Sequence, residues 1–162
     1  MRKRSAIWRR VLAGLLSVLL LAGLALAQEG QDNRSVNWLS YREVMAAGRD
    51  QNKPILLHFT ASYSPLGRKM QVETYTDPQV IRYLNENFAV AMVDIEQLPS
   101  LARKYKVESL PSLWFLDASG KALTSINGEV GAQKMLRVAK YISEKIYEHT
   151  DYNTWLSHRK GR

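Results

Sequence analysis

The chain alternates short apolar runs with helical segments, and this alternation constrains the fold more than any other feature. Ile55–Thr60 and residues 88–94 are short and mostly apolar, which is typical of strands buried on both faces. Between them, residues 64–65 are Ser-Pro and residues 76–78 are Thr-Asp-Pro. A capping residue followed by proline predicts a helix start at each place. Strands separated by helices pair in parallel, so the sequence predicts an α/β fold.

The second half of the chain adds a hairpin to this sheet. Ser112–Leu116 predicts a strand, residues 117–121 include a glycine for a tight turn, and residues 122–126 predict the returning strand. Apolar residues at helical spacing predict a first helix from Trp38 and a last helix over 132–147. The expected architecture is a central mixed β-sheet flanked by helices on both faces.

The N-terminal segment has the three-part pattern of a secretory signal peptide. Five basic and no acidic residues accompany the apolar run 11–24, and an Ala-Leu-Ala sequence ends at Ala27. We predict a signal peptide over 1–27, cleavage after Ala27, and a periplasmic or otherwise extracytoplasmic location. An uncleaved signal anchor is the alternative, and only in that case would the chain be held at a membrane.

The remaining chain is predicted to contain one domain. Polar residues 28–36 predict a linker, residues 37–147 a domain, and residues 148–162 a polar C-terminal tail with a final turn near Trp155. Without the five leader cations, 18 Lys and Arg stand against 15 Asp and Glu, and three of these 18 lie within residues 159–162. The body of the domain is close to neutral, so we expect no nucleic-acid partner.

The chain contains no cysteine, and its three histidines are His58, His149 and His158. Thiolates are the nucleophiles of thiol–disulfide exchange, so the sequence excludes that chemistry. Scattered histidines without cysteine give no ligand set at usable spacing, and we expect no metal and no cofactor. An exported domain without disulfides must be stabilised by an ordinary apolar core.

Four segments occur together in the order and spacing of a known family. They are a Lys-Pro pair at 53–54 before an apolar strand, a loop and helix over 60–70, an apolar strand over 90–94, and a Leu-Pro, strand and hairpin sequence over 110–121. Together they resemble the thioredoxin-like family, in particular exported thioredoxin-like domains with a helix before the first strand. The resemblance implies a thioredoxin-like fold with a cis Leu110–Pro111 bond.

The resemblance also places residues 63–67, Tyr-Ser-Pro-Leu-Gly, where redox-active members of the family carry Trp-Cys-x-x-Cys. Ser64 stands at the position of the attacking thiolate, and Gly67 stands at the position of the resolving thiol. Exchange needs one thiolate to attack and a second to release the mixed disulfide. The resemblance therefore implies a redox-inactive domain that lacks both CxxC cysteines, and we predict that it is not an enzyme.

Ser64 could act as a nucleophile if a base lay within about 3 Å of its hydroxyl. His58 is the candidate base, because the resemblance places it on the active-site strand, where redox-active members have a buried Asp. The favoured interpretation is structural. Ser64 is then the N-cap of a helix, and His58 is a satisfied, partly buried strand residue.

In this family a substrate peptide lies in a shallow apolar groove beside the loop, and binding there needs no sulfur. We predict a peptide- or partner-binding surface, here called the predicted surface, formed by Tyr63, Ser64, Pro65, Leu66, Leu110 and Pro111. Exposed apolar clusters tend to mark interaction sites. In the alternative arrangement, Leu66 and Leu110 pack inward and Tyr63 covers a strand end.

The predicted function is therefore that of a redox-inactive thioredoxin-like protein of the cell envelope. It would bind an extended peptide or an envelope protein, as a binding or chaperone-like module. Two alternatives stay open, a structural accessory subunit of an envelope complex and an enzyme with non-thiol chemistry. Solution behaviour separates binding module from subunit, because a transient binder is expected to be a monomer and an obligate subunit to self-associate or to be unstable alone.

Overall fold

The computed structural model of the chain describes residues 34–160. The predicted signal peptide over 1–27 lies outside the described residues, and so does the predicted linker up to residue 33. Within the described range, no helix is both long and apolar enough to cross a lipid bilayer.

Five strands form one mixed sheet within residues 34–160. They are β1 (Trp38–Leu39), β2 (Ile55–Thr60), β3 (Ala89–Asp94), β4 (Ser112–Leu116) and β5 (Ala122–Asn127). Their spatial order is β1-β3-β2-β4-β5, and β2 pairs in parallel with β3 and antiparallel with β4. Because β2 is the central strand, the loop that follows it starts from the middle of the sheet.

Six α-helices connect or cover these strands in the described part of the chain. They are α1 (Tyr41–Gln51), α2 (Pro65–Lys69), α3 (Pro78–Asn87), α4 (Pro99–Lys104), α5 (Ala132–Ser143) and α6 (Tyr152–Lys160). A π-helical turn, Met70–Thr74, continues α2, and a 3₁₀ turn, Ile146–Glu148, follows α5. The order of elements agrees with the sequence prediction except at the two ends.

Capping hydrogen bonds confirm the predicted helix starts. Ser64 Oγ accepts a hydrogen bond from Gly67 N at the start of α2. Asp77 Oδ1 accepts hydrogen bonds from the amides of Gln79 and Val80 at the start of α3. Each cap is followed by proline, whose missing N–H costs nothing in the first turn of a helix.

Side chains along β2 alternate between two apolar layers, as expected for a strand. Leu56 belongs to the layer that contains Leu84 of α3 and Met135 of α5. Leu57 belongs to the opposite layer, which contains Val44 of α1. Both faces of the sheet are covered by helices, which confirms the predicted α/β class with a central mixed sheet.

The N-terminal end of the domain differs from the prediction of a helix that begins at Trp38. Trp38 and Leu39 instead form the edge strand β1, which pairs in parallel with β3. The helix begins only at Tyr41, because Ser40 adopts an extended conformation and forms a capping box with Glu43.

The C-terminal end differs as well. The last predicted helix ends at Ser143 rather than at residue 147, and the segment predicted as a polar tail contains α6. The rings of Tyr152 and Trp155 pack on Tyr141 of α5, with centroid distances of 5.3 Å and 5.6 Å. These aromatic contacts stabilise α6, and the amides of Asn153 and Thr154 also donate hydrogen bonds to Asp151 Oδ1 at its start.

Candidate functional site

The loop 61–64 leaves the central strand β2 and enters α2 at Pro65. Ser64 has an extended backbone conformation, with φ −84° and ψ 104°, and is only 4% exposed. Its hydroxyl oxygen accepts the hydrogen bond from Gly67 N at 3.1 Å. The interpretation of Ser64 as the helix N-cap is therefore confirmed.

Gly67, at the position of the resolving thiol, has no room for a side chain. A Cβ atom placed on Gly67 would lie 2.2 Å from Thr60 Oγ1 and 3.0 Å from Ser64 Oγ. Thr60 is buried at the end of β2, and its hydroxyl has no hydrogen-bond partner within the described residues. The Thr60 side chain therefore takes the space that a side chain at position 67 would need.

His58 lies on β2 between Met92 of β3 and Leu113 of β4, and it is 0% exposed. Its Nδ1 shares a hydrogen bond of 2.8 Å with Tyr75 Oη, whereas its Nε2 has no partner among residues 34–160. Burial lowers the pKa of His58 to about 4, because the charged imidazole would lose its hydration. Burial raises the pKa of Tyr75 for the corresponding reason.

The prediction that His58 is a partly buried strand residue is right about the strand and wrong about the burial. The ring is fully enclosed because β2 is the central strand, and one of its two nitrogens lacks a partner in the described structure. Ser64 and His58 bond to different groups, Gly67 N and Tyr75 Oη respectively. The hydrogen bonds of the described residues thus contain no Ser–His pair of the kind that nucleophilic catalysis needs.

The outer side of the loop is exposed to solvent. Tyr63 is 63% exposed and Leu66 is 43% exposed. The alternative arrangement, in which Leu66 packs inward and Tyr63 covers a strand end, is wrong for these two residues. Leu110 is half-buried and packs against the apolar layer that contains Leu57.

A groove of about 360 Å³ lies beside the loop. We call it the loop groove, and its lining residues are Tyr63, Ser64, Pro65, Ile95, Val107, Glu108, Ser109 and Leu110. It brings together four members of the predicted surface. The other two lie outside the lining, because Leu66 is exposed beyond it and Pro111 is buried. The Leu110–Pro111 bond is cis, which confirms that prediction.

Glu96 fixes the outer part of the loop. Its Oε2 accepts hydrogen bonds from Ser62 Oγ at 2.7 Å and from Ser62 N at 2.8 Å. These hydrogen bonds lower the pKa of the Glu96 carboxyl, because they favour its charged form. Arg68 Nη1 donates a further hydrogen bond to the carbonyl oxygen of Ser62. Ordinary polar contacts therefore hold the loop in place.

Sequence reasoning missed Ser62, Glu96 and the groove residues 107–109. A usable signal existed for Glu96, because Ile95 and Glu96 directly follow β3, the parallel neighbour of β2. The carboxyl ends of neighbouring parallel strands meet at one edge of a sheet, which is where ligands bind in open α/β folds. No comparable local signal marks residues 107–109.

The site offers contact surface and few reactive groups. Glu108 is the one charged residue among the described residues that line the loop groove. No group of three or more metal-ligating side chains occurs within residues 34–160. Since the chain also has no cysteine, the arrangement can present apolar and backbone groups to a ligand but has no sulfur to exchange.

Two relatives of the chain are proteins named for disulfide chemistry. It is 25% identical over 146 residues to the thiol:disulfide interchange protein DsbD of Photorhabdus laumondii, which covers 78% of this chain and 25% of that protein. It is 28% identical over 109 residues to the disulfide bond reductase DsbH of Chlamydia pneumoniae, which covers 60% of this chain and 66% of that protein. The chain thus matches a quarter of one relative and just under two thirds of the other.

The fold is also that of solved thioredoxin-like structures. A DsbH oxidoreductase structure matches with a TM-score of 0.61 and 24% identity, covering 72% of this chain and 92% of its own. At that identity the likeness shows the fold alone. A family model described as "Thioredoxin-like domain" matches residues 41–143, which is more than half of the chain. With its sheet order, its cis proline and this match, the chain belongs to the thioredoxin-like domain family.

Proposed function

We propose that the chain is a redox-inactive thioredoxin-like protein of the cell envelope. In this proposal it binds an extended peptide, or an extended segment of an envelope protein, in the loop groove. The observation that carries the proposal is the contrast between the buried Ser64 and Gly67, which the resemblance places at the sulfur positions, and the open groove beside them. The names of these two relatives refer to disulfide chemistry, and this chain has no thiol with which to perform it.

The exposed apolar residues of the loop support a binding role. Tyr63, Pro65 and Leu110 line the loop groove together, and the Tyr63 side chain is 63% exposed. An exposed aromatic side chain favours non-specific association unless a partner covers it. Interfaces concentrate their binding free energy in a few such aromatic and apolar anchors.

The hydrogen bonds that hold the loop support the same role. Ser62 is held by Glu96 and by Arg68, and Ser64 is held by the helix that it caps. A bound peptide would not have to order the loop. Most of the conformational entropy lost on binding would therefore be that of the peptide. Glu108 at the groove edge would disfavour acidic peptides and favour neutral or basic ones.

The test is direct binding of short overlapping peptides from an unfolded secreted protein, measured by fluorescence anisotropy on the best binders. Tyr63→Ala removes the exposed anchor and should weaken peptide binding by roughly 30-fold, the loss expected for an interface hot spot. Val72→Ala is the matched control. Val72 is also apolar and is 68% exposed, but it lies on the π-helical turn outside the groove lining. Equal affinities for the two variants would contradict the proposal.

Leu110→Arg is a second variant that puts a charge into the groove. It should weaken peptide binding at least as much as Tyr63→Ala, because a buried charge facing an apolar ligand is costly. Leu110 also packs against the core, so the thermal unfolding of this variant must be measured alongside. A folded Leu110→Arg protein that keeps full peptide affinity would contradict the proposal that the peptide binds in the loop groove.

A structural accessory subunit remains the second candidate, and sedimentation of the purified chain separates it from a binding module. We expect a stable monomer, because a transient binder must be stable without its partner. Obligate self-association or instability alone would favour the subunit.

The envelope location rests on the N-terminal sequence pattern, which lies outside the described residues. Intact-mass measurement of the protein recovered from cell-envelope extract should give an N-terminus at Gln28, as expected for cleavage after Ala27. A full-length mass in the membrane fraction would indicate an uncleaved signal anchor instead of a cleaved signal peptide.

A further inference from the structure

A second cavity, larger than the loop groove, lies between the edge strand β5, helix α5 and the C-terminal segment. Its volume is about 620 Å³, within the range of small-molecule sites. We call it the tyrosine cavity, and its lining residues are Leu123, Thr124, Ile126, Lys134, Val138, Tyr141, Ile142, Tyr147, Tyr152 and Asn153. None of these residues lines the loop groove, so the two sites are separate in the described structure.

The wall of the tyrosine cavity is mainly apolar. Aliphatic side chains of β5 and α5 form one part, and three tyrosine rings form the other. Tyr141 packs edge-on against Tyr152 at 5.3 Å and against Tyr147 at 6.4 Å, so the rings support one another. The Tyr141 hydroxyl already donates to the carbonyl oxygen of Thr150 at 2.7 Å. The ring of Tyr141, more than its hydroxyl, is therefore what a ligand would meet.

Positive charge is concentrated at one end of the tyrosine cavity. Lys134 is the one charged residue among the described residues that line it, and it lies in the first turn of α5. That turn contains no acidic residue, and its cap, Gly131, has no side chain to accept from the first amides. The helix dipole therefore adds to the positive potential near Lys134.

The opposite end of the cavity has negative neighbours instead. Burial and then the Asp151 carboxylate raise the pKa of Tyr141, and burial and then Glu148 raise the pKa of Tyr147. An anionic head is thus favoured only at the Lys134 end. Two helical turns separate Lys134 from Ile142, which places the two ends of this wall about 12 Å apart along the helix axis. That length suits an acyl chain of medium length.

We infer that the tyrosine cavity is a binding site for a medium-chain fatty acid, with its carboxylate at Lys134 and its acyl chain along the wall of α5. The apolar wall would remove the chain from water, and the single cation would accept the single negative charge. This site is independent of peptide binding in the loop groove.

The test is calorimetric titration of the full chain with decanoate. Decanoate should bind at one site, and decanol and decyltrimethylammonium, which lack the negative head, should bind at least about tenfold more weakly. Lys134→Met removes the cation but keeps a long side chain, and should lower decanoate affinity by a similar factor. Lys140→Met is the matched control on the same helix, because Lys140 pairs with Glu144 and does not line the cavity.

Leu123→Trp should abolish decanoate binding by filling the cavity, with circular dichroism as the check on folding. If this variant does not fold, the comparison of Lys134→Met with Lys140→Met decides alone, since both lysines lie near the surface. Tyr63→Ala should leave decanoate affinity unchanged, which separates this site from the loop groove. No saturable decanoate binding, or equal affinities in Lys134→Met and Lys140→Met, would overturn the inference.

Discussion

The loop between β2 and α2, taken together with the first turn of α2, has an inner and an outer side. On the inner side Ser64 and Gly67 are buried against Thr60, whereas on the outer side Tyr63 and Leu66 are exposed. The two sides are only one or two residues apart in the chain. The inner side is closed by a helix cap and by a glycine that admits no side chain. The outer side borders a groove. The comparison teaches that Ser64 and Gly67 serve packing, while the neighbouring surface is open to a ligand.

The comparison predicts that changes on the inner side alter stability and that changes on the outer side alter binding. Four measurements test this division, beginning with the largest expected effect.

Protonation of His58, which is buried on β2 ahead of the loop, should have the largest effect on stability. The pKa of His58 is about 4 in the folded chain, against an ordinary value of 6.5, so the unfolded chain takes up the proton first. The free energy of unfolding should therefore be highest above pH 6.5. It should decrease by on the order of 3 kcal/mol in all as the pH falls toward 4. Urea unfolding across this pH range measures it. His58→Gln should show a much flatter profile, and equal slopes for the two proteins would contradict the assignment.

Gly67→Cys should lower the free energy of unfolding by about 1–3 kcal/mol, because its Cβ would meet Thr60 Oγ1. Thr60→Ala removes that hydroxyl, so the double variant should recover part of the loss in a double-mutant cycle. Chemical denaturation of the four proteins gives the coupling free energy. A Gly67→Cys protein as stable as the parent would show that the inner side has room for a thiol.

Ser64→Ala should lower the free energy of unfolding by about 0.5–2 kcal/mol, because Gly67 N would lose its hydrogen-bond acceptor. Peptide affinity should change little at a temperature where the variant is folded. If biological activity disappears while stability is kept, Ser64 has a chemical role that its buried hydrogen bond does not reveal.

Tyr63→Ala should have the smallest effect on stability, within about 0.5 kcal/mol, because the side chain is 63% exposed. Val72→Ala should change the thermal unfolding temperature as little as Tyr63→Ala does. The two variants should differ only in that Tyr63→Ala weakens peptide binding. A large destabilisation by Tyr63→Ala would mean that the outer side also serves packing.

Much of the fold could be predicted because its signals are local. The Ser-Pro and Asp-Pro helix starts, the apolar strand β2 and the hairpin from β4 to β5 each depend on residues close in sequence. Strand β1 was missed because it has only two residues and exists through its pairing with β3. Even so, the Ser-x-x-Glu sequence at Ser40 marks the start of α1 and could have corrected the boundary.

The remaining misses depend on contacts between distant residues. Asp151 caps the start of helix α6 locally, but the packing of α6 on Tyr141, and with it the tyrosine cavity, does not follow from local pattern. The predicted surface was right about the exposure of Tyr63 but included Pro111, which is buried. The resemblance indicated which residues lie near the loop, whereas the burial of each side chain depends on contacts between residues distant in sequence.

The most direct test of the central claim is to map the bound peptide on the protein by nuclear magnetic resonance. A labelled chain would be titrated with the best-binding peptide, and the backbone amide shifts would be followed residue by residue. We predict saturable changes of the amide chemical shifts at Tyr63, at Ile95 and across residues 107–110, with little change around Val72. Saturable shifts confined to the tyrosine cavity or to the π-helical turn, with none at the loop groove, would contradict it.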